Sequence, residues 1–141
     1  DAHATHEIRH DMWNKFLFIA SWGGIGALTR APAGVTRSLP ETRGLLERSM
    51  EEIHRLARAR KVAVEREAID QAMAFIDALP YESTASMQRD IMAGRPSELD
   101  AQTGAVVRLG KEAGVATPVN GMIYSSLLPL EKRARKELNF D

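Results

Sequence analysis

The segment HEIRH, at residues 6–10, has residue types and a spacing that could bind a catalytic metal. It fits H-E-x-x-H, which on a helix places two imidazoles on one face with a glutamate beside them as general base. His3 shares that spacing. A zinc-peptidase site, however, lies inside a fold, whereas this segment is at the first residues of the chain, and Arg9 would put a cation beside the metal. We therefore predict an exposed first turn of a helix and no metal site, with adventitious metal binding left open.

Lys15, in the segment DMWNKF, is a candidate proton donor. It follows the same helical stripe as the apolar Met12, Ile19 and Trp22. An ammonium group among apolar neighbours is partly desolvated, which favours acid catalysis. The alternative is a lysine whose stem lies along an apolar face while its head reaches water, paired with Asp11. The residues alone leave both interpretations open.

Ser86 and Glu98 stand near two successive helix starts in the segment SMQRDIMAGRPSELD. A hydroxyl and exposed backbone amides at such a start can bind a carboxylate. Glu98 would be a buried acceptor if it points inward. The alternatives are a capping role for Ser86 and a surface acid favoured by the helix dipole for Glu98.

Composition excludes several classes of function. The chain has 141 residues, equal numbers of basic and acidic side chains (19 each) and no cysteine. Disulfides, thiolate zinc sites and cysteine nucleophiles are therefore excluded, and no apolar run has the length of a membrane span. The basic segment LEKRARKEL, residues 130–138, has no interleaved aromatic residue, so a solvated face is favoured over nucleic-acid binding. We predict a soluble protein that is compatible with a reducing cytoplasm.

Apolar residues recur with a period of 3.6 almost throughout, which predicts an all-α fold of six or seven helices. The predicted helices cover about 7–28, 41–60, 65–79 and 85–92, then a helix that ends at Gly114, one that begins at Pro118, and a charged C-terminal helix after a break at Pro129. The glycines at positions 23, 24 and 26 should weaken the end of the first helix unless another helix packs closely against them. Ser97 and Asp100 fit a capping box, and Thr117 is a predicted helix cap.

Residues 86–120 carry a longer pattern. Its residues here are Ser86-Met87, Asp90, Gly94-Arg95, Ser97-Glu98-Leu99-Asp100, Gly104, Gly114-Val115 and Thr117-Pro118-Val119-Asn120. This pattern resembles the C-terminal domain of ketopantoate reductases (2-dehydropantoate 2-reductases), and Trp13-x-Lys15 resembles the W-x-K of that family. The resemblance extends over essentially the whole chain.

The resemblance implies reduction of 2-dehydropantoate to pantoate with NADPH, on the path to pantothenate and coenzyme A. It implies that residues 1–141 form a helical domain for substrate binding and dimerisation, similar to the C-terminal domain of 6-phosphogluconate dehydrogenase. An N-terminal Rossmann domain would bind the cofactor; its G-x-G-x-x-G is absent from this chain, so we expect an inactive fragment of a longer, cytoplasmic enzyme. By resemblance, Lys15 protonates the carbonyl oxygen, Ser86 holds the substrate carboxylate, and Glu98 accepts from the substrate hydroxyl or orients Lys15.

Two positions depart from the family pattern. Asparagines usually follow the lysine by four and eight residues, where this chain has Ile19 and Gly23. The departure favours a reductase-like paralogue for a 2-oxo acid less hydroxylated than ketopantoate. The alternative is a helical dimerisation or interaction module without ketopantoate activity, against which the retained Lys15, Ser86 and Glu98 argue.

Overall fold

The computed structural model describes residues 2–141 and contains seven α-helices. They are α1 (Ala2–Thr29), α2 (Ala33–Thr36), α3 (Pro40–Ala59), α4 (Glu67–Ala78), α5 (Ser86–Met92), α6 (Thr103–Ala113) and α7 (Pro118–Ala134). No strand occurs within residues 2–141, and the predicted all-α fold is confirmed. No helix in this part of the chain is long and apolar enough to cross a membrane.

The second half of α1 is the centre of the fold. This helix contacts all six others, and its buried stretch from Leu17 to Ala27 packs into one apolar core. The other helices contribute the following fully buried side chains to that core: Leu46, Met50, Ile53, Leu56, Ile76, Met87, Val106 and Ile123. The first half of α1 is largely exposed, so the face of α1 that lies just before the core is open to a ligand.

The glycines of α1 are the points of closest helix packing. A Cβ built on Gly24 would lie 3.2 Å from Ile123 on α7, and one on Gly26 would lie 2.4 Å from the Gln88 amide oxygen on α5. The helix continues through them to Thr29. The predicted weakening is therefore absent, for the reason that the prediction itself named: other helices use the missing side chains as space.

The predicted capping box at Ser97 is wrong. The helix begins six residues later, at Thr103, and residues 98–102 form turns. The Ser97 hydroxyl instead donates to the buried Glu131 carboxylate on α7 and accepts from the Leu99 amide. A long-range partner, absent from any local pattern, has replaced the local cap.

The predicted break at Pro129 is also wrong. Helix α7 runs through this residue, and only its last residues, after Ala134, leave the helix. Proline removes the hydrogen bond to the carbonyl of Ser125, four residues earlier. Ser125 and Pro129 are both exposed, so water can bind the freed carbonyl and the helix survives.

Helix α7 starts against a buried carboxylate. Thr117 is the residue before the helix, as predicted, but its side chain makes no capping hydrogen bond. Glu52 of α3 replaces it: this carboxylate is 2% exposed and accepts from the Val119 amide at 2.8 Å, the Asn120 amide at 3.0 Å and the Asn120 side-chain amide at 2.8 Å. The negative charge sits at the positive end of the helix dipole.

The remaining differences are small. The bounds of α3, α4 and α5 differ by at most two residues from those predicted. The segment 30–40, predicted as a connection, contains the single helical turn α2, which is tied to the loop before α5 by a 2.8 Å hydrogen bond from the Ala33 amide to the Ser83 carbonyl. A four-residue helix leaves too short a pattern to be read from the sequence.

Candidate active site

A groove of about 360 Å³ runs between the exposed face of α1 and the turn that precedes α6. Its lining is Met12, Lys15, Phe16, Ile19 and Ala20 on α1, and Glu98, Ala101 and Gln102 on the turn. Three polar side chains thus meet five apolar ones. Mostly apolar grooves with a few convergent polar groups are typical of sites for small organic ligands.

Each wall of the groove presents polar or apolar groups one helical turn apart. On α1, Lys15 and Ile19 are four residues apart, and Gly23 lies one turn further. On the opposite wall Glu98 and Gln102 are also four residues apart, because the Gln102 amide donates to the Glu98 carbonyl at 2.9 Å. The groove therefore has an end with two ionisable groups and an end with an amide.

Lys15 is exposed and makes no ion pair with residues 2–141. The pairing with Asp11 is not formed, since the Asp11 carboxylate lies 3.6 Å from the His10 imidazole. The apolar stripe that carries Lys15 is open surface, with Ile8 59% and Met12 64% exposed. The expected desolvation of Lys15 is thus absent in this chain by itself, because the core packs on a different face of α1.

Glu98 lies in the same groove as Lys15, but the inward orientation expected for it is wrong. Glu98 is exposed, whereas the buried glutamates of the core are Glu52 and Glu131. Their carboxylates are held by amides and a hydroxyl far apart in sequence. Burial of an acid depends on these long-range donors, which no local pattern around Glu98 could reveal.

Ser86 is the first residue of α5 and is exposed. It is not part of the groove lining. The capping at this helix start comes instead from Gln88, whose side-chain oxygen accepts from the Ala85 amide at 3.4 Å. Among the three site residues expected from the sequence, the structure brings Lys15 and Glu98 to one groove and leaves Ser86 outside it.

The turn that carries Glu98 is fixed by Asp100, once expected to cap a helix. Its carboxylate accepts from the Tyr124 hydroxyl at 2.8 Å and from the Arg108 guanidinium at 3.1 Å. The hydrogen bond from Tyr124, followed by the charge of Arg108, lowers the pKa of Asp100 below its ordinary value, against a smaller opposing effect of desolvation. The same hydrogen bond raises the pKa of Tyr124. These contacts tie the turn to α6 and α7 and so position one wall of the groove.

Gln102 is a groove residue that the sequence analysis missed. Its side-chain oxygen is buried and has no hydrogen-bond partner among residues 2–141. The only sequence signal is its spacing of four residues from Glu98, which becomes informative once the intervening turn is known to be helical in its hydrogen bonding.

HEIRH lies in the first turns of α1 and is largely exposed, as predicted. The His3 imidazole is 2.9 Å from the Glu7 carboxylate, and the His10 ring is 3.3 Å from the Asn14 side-chain amide. Within residues 2–141 no three histidine, cysteine or acidic side chains are grouped so that they could hold a metal ion. The segment lines a separate depression beside Lys61 and has no contact with the groove of Lys15.

Known proteins resemble this chain over nearly all of its length. The 2-dehydropantoate 2-reductase of Vibrio cholerae is 28% identical over 126 residues, which is 89% of this chain and 42% of that protein. The enzyme of the same name from Caulobacter vibrioides is 32% identical over 128 residues, covering 90% and 43%. A solved structure of the dimeric ketopantoate reductase of Staphylococcus aureus superimposes with a TM-score of 0.85 at 28% identity, covering 90% and 44%.

The chain thus spans less than half the length of the relatives that it matches. A family model described as the C-terminal part of the ketopantoate reductases PanE/ApbA matches residues 7–131, which include both walls of the groove. The chain therefore belongs to the ketopantoate reductase family, of which it represents the C-terminal domain.

Proposed function

We propose that this chain is the substrate-side domain of an NADPH-dependent reductase that converts a 2-oxo acid into a 2-hydroxy acid. The observation that carries the proposal is the groove in which Lys15 and Glu98 meet on a mostly apolar surface. Family membership supports the same reaction class. The cofactor, which supplies the hydride when bound, would be held mainly by an N-terminal Rossmann domain, since no glycine-rich phosphate loop occurs in this chain.

In this mechanism the residues of the chain handle the proton and the charge. As hydride reaches the carbonyl carbon, negative charge develops on the oxygen, and the Lys15 ammonium stabilises that charge and donates the proton. Glu98 accepts a hydrogen bond from the substrate hydroxyl or orients the ammonium; both roles fit a carboxylate in the same groove. Docking of a second domain over the exposed face of α1 would exclude water from Lys15.

The substrate is ketopantoate or a related, less hydroxylated 2-oxo acid. The apolar Ile19 lies in the groove one turn after Lys15, where the family usually has an asparagine. Ser86 stays a proposed ligand for the substrate carboxylate, although it is exposed at the start of α5 and outside the groove lining. If ketopantoate is the substrate, the enzyme acts in the cytoplasm on the way to pantothenate and coenzyme A.

The second candidate is a helical dimerisation module without retained ketopantoate activity. Its support is apolar surface away from the groove: Phe75 is 55% and Met122 67% exposed. One solved relative is described as dimeric. A protein that dimerises but reduces no 2-oxo acid would favour this candidate over the reductase.

The decisive experiment uses the full-length protein with NADPH and ketopantoate. In Lys15→Ala, kcat should fall about 100-fold or more, since a general acid typically contributes that much, with a much smaller change in KM. Lys111→Ala, which changes an exposed lysine on α6, is the matched control and should leave both constants unchanged. An intact kcat in Lys15→Ala would remove this lysine from the mechanism.

A further inference from the structure

We propose that Gln102 recognises a hydroxyl group on the tail of the 2-oxo acid, from the wall opposite the two positions at which the family usually has asparagines. This inference rests on the proposed reductase function and narrows its substrate. A side-chain amide that faces a ligand groove without an internal partner is the observation that carries it.

The Gln102 side chain has an unmet hydrogen-bonding requirement. Its Oε1 is buried and has no partner among residues 2–141. Buried polar groups are nearly always hydrogen-bonded, so an exception in a groove indicates a ligand. The same condition holds for Asn14 Oδ1 and Thr103 Oγ1, but neither of these residues lines the groove of Lys15. Gln102 alone combines an unpartnered amide with a place in that groove.

The amide occupies the space that an asparagine at position 23 would need. A Cβ built on Gly23 would lie 3.5 Å from Gln102 Oε1 and 3.3 Å from the terminal methyl of Met87. A larger side chain on α1 would therefore meet Gln102 directly. The polar contact that α1 lacks at Gly23 is supplied by the facing wall instead, one turn beyond Glu98.

The position of Gln102 agrees with the order of groups on a 2-oxo acid. Lys15 and Glu98 hold the end of the groove where the carbonyl reacts, and Ile19 separates them from Gly23 along α1. A tail that passes over Ile19 reaches the amide. Because Oε1 has no partner, rotation of the side chain toward the groove breaks no hydrogen bond of that oxygen.

A hydroxyl is the tail group that an amide satisfies in either orientation. The amide offers an acceptor oxygen and two N–H donors, while a hydroxyl both donates and accepts. A hydrocarbon tail would leave the amide unpaired in the closed site, and sites built to bond a hydroxyl discriminate against analogues that lack it. We therefore expect a preference of about tenfold or more for the hydroxylated substrate.

The test compares two substrates with the same carbon skeleton, in the full-length protein with NADPH. Ketopantoate carries the tail hydroxyl, and 3,3-dimethyl-2-oxobutanoate lacks it. Wild type should show the higher kcat/KM with ketopantoate. Gln102→Met, which keeps the length of the side chain and its packing against Gly23, should bring the two values together by lowering that for ketopantoate. Gln71→Leu, at an exposed glutamine of α4, is the matched control.

Two results would overturn the role of Gln102: a wild type that does not prefer the hydroxylated substrate, or an unchanged preference in Gln102→Met. In either case reduction of both compounds would leave the proposed reductase function intact. Absence of activity toward both compounds in wild type would instead refute the function on which this inference rests. Gln102→Asn provides a second variant that keeps the amide but shortens its reach, and its preference should lie between those of wild type and Gln102→Met.

Discussion

Gly26→Ala is expected to destabilise the domain through a single side chain. The new Cβ would lie 2.4 Å from Gln88 Oε1 and 3.1 Å from Gln88 Cδ, so Gln88 must move. That side chain is 1% exposed and makes two hydrogen bonds, from its amide nitrogen to the Ala31 carbonyl at 3.0 Å and from the Ala85 amide to its oxygen. Displacing it breaks the contact between α1 and the start of α5.

The expected magnitude follows from three contributions. Loss of two hydrogen bonds costs about 2 kcal/mol, and crowding in a packed core adds about 1 kcal/mol. Alanine in place of glycine inside a helix returns about 1 kcal/mol. The net loss of unfolding free energy is therefore about 2 kcal/mol, which lowers Tm by roughly 6 to 10 °C in a domain of this size.

Gly121→Ala is the matched control, because a Cβ at this position in α7 meets nothing within 4 Å. It should raise stability by about 0.5 to 1 kcal/mol through helix propensity alone. Both variants are measured by urea denaturation and thermal melting. In a Gln88→Ala background the cost of Gly26→Ala should largely vanish, since the obstructing group is gone. Equal effects of Gly26→Ala with and without Gln88, or a stable Gly26→Ala, would refute the reasoning.

Two further predictions concern the contacts that hold the other helices. Glu52→Gln should lower the unfolding free energy by about 2 kcal/mol or more, because charge-assisted bonds to the Val119 and Asn120 amides are weakened; a near-neutral change in urea denaturation would contradict this role. Tyr124→Phe should raise the pKa of Asp100 toward its ordinary value, since the Tyr124 hydroxyl is the main cause of its depression. A depressed carboxyl pKa contributes stability above the unfolded pKa that is lost as pH falls through the folded pKa, so this loss should start at higher pH in the variant; an unchanged Asp100 titration by carboxyl ¹³C NMR would oppose it.

Much of the fold could be predicted because helices leave local patterns. The bounds of α3 and α4 follow from apolar periodicity and from Pro40 and Pro80 at their ends. Where prediction failed, a long-range partner or the solvent decided: Glu131 takes the hydroxyl of Ser97, and water can take the carbonyl that Pro129 leaves free. The candidate site shows the same division, since residue types indicated Lys15 and Glu98 but not which faces they occupy.

By itself the sequence determined the all-α class, the family resemblance and the two ionisable residues of the groove, because each depends on residue types at short spacings. Only the tertiary structure decided that Lys15 and Glu98 share a groove, that Ser86 lies outside it and that Gln102 faces Gly23. These outcomes depend on which face of α1 packs into the core. That choice is made by the close approach of other helices to its glycines, an interaction between residues more than sixty positions apart.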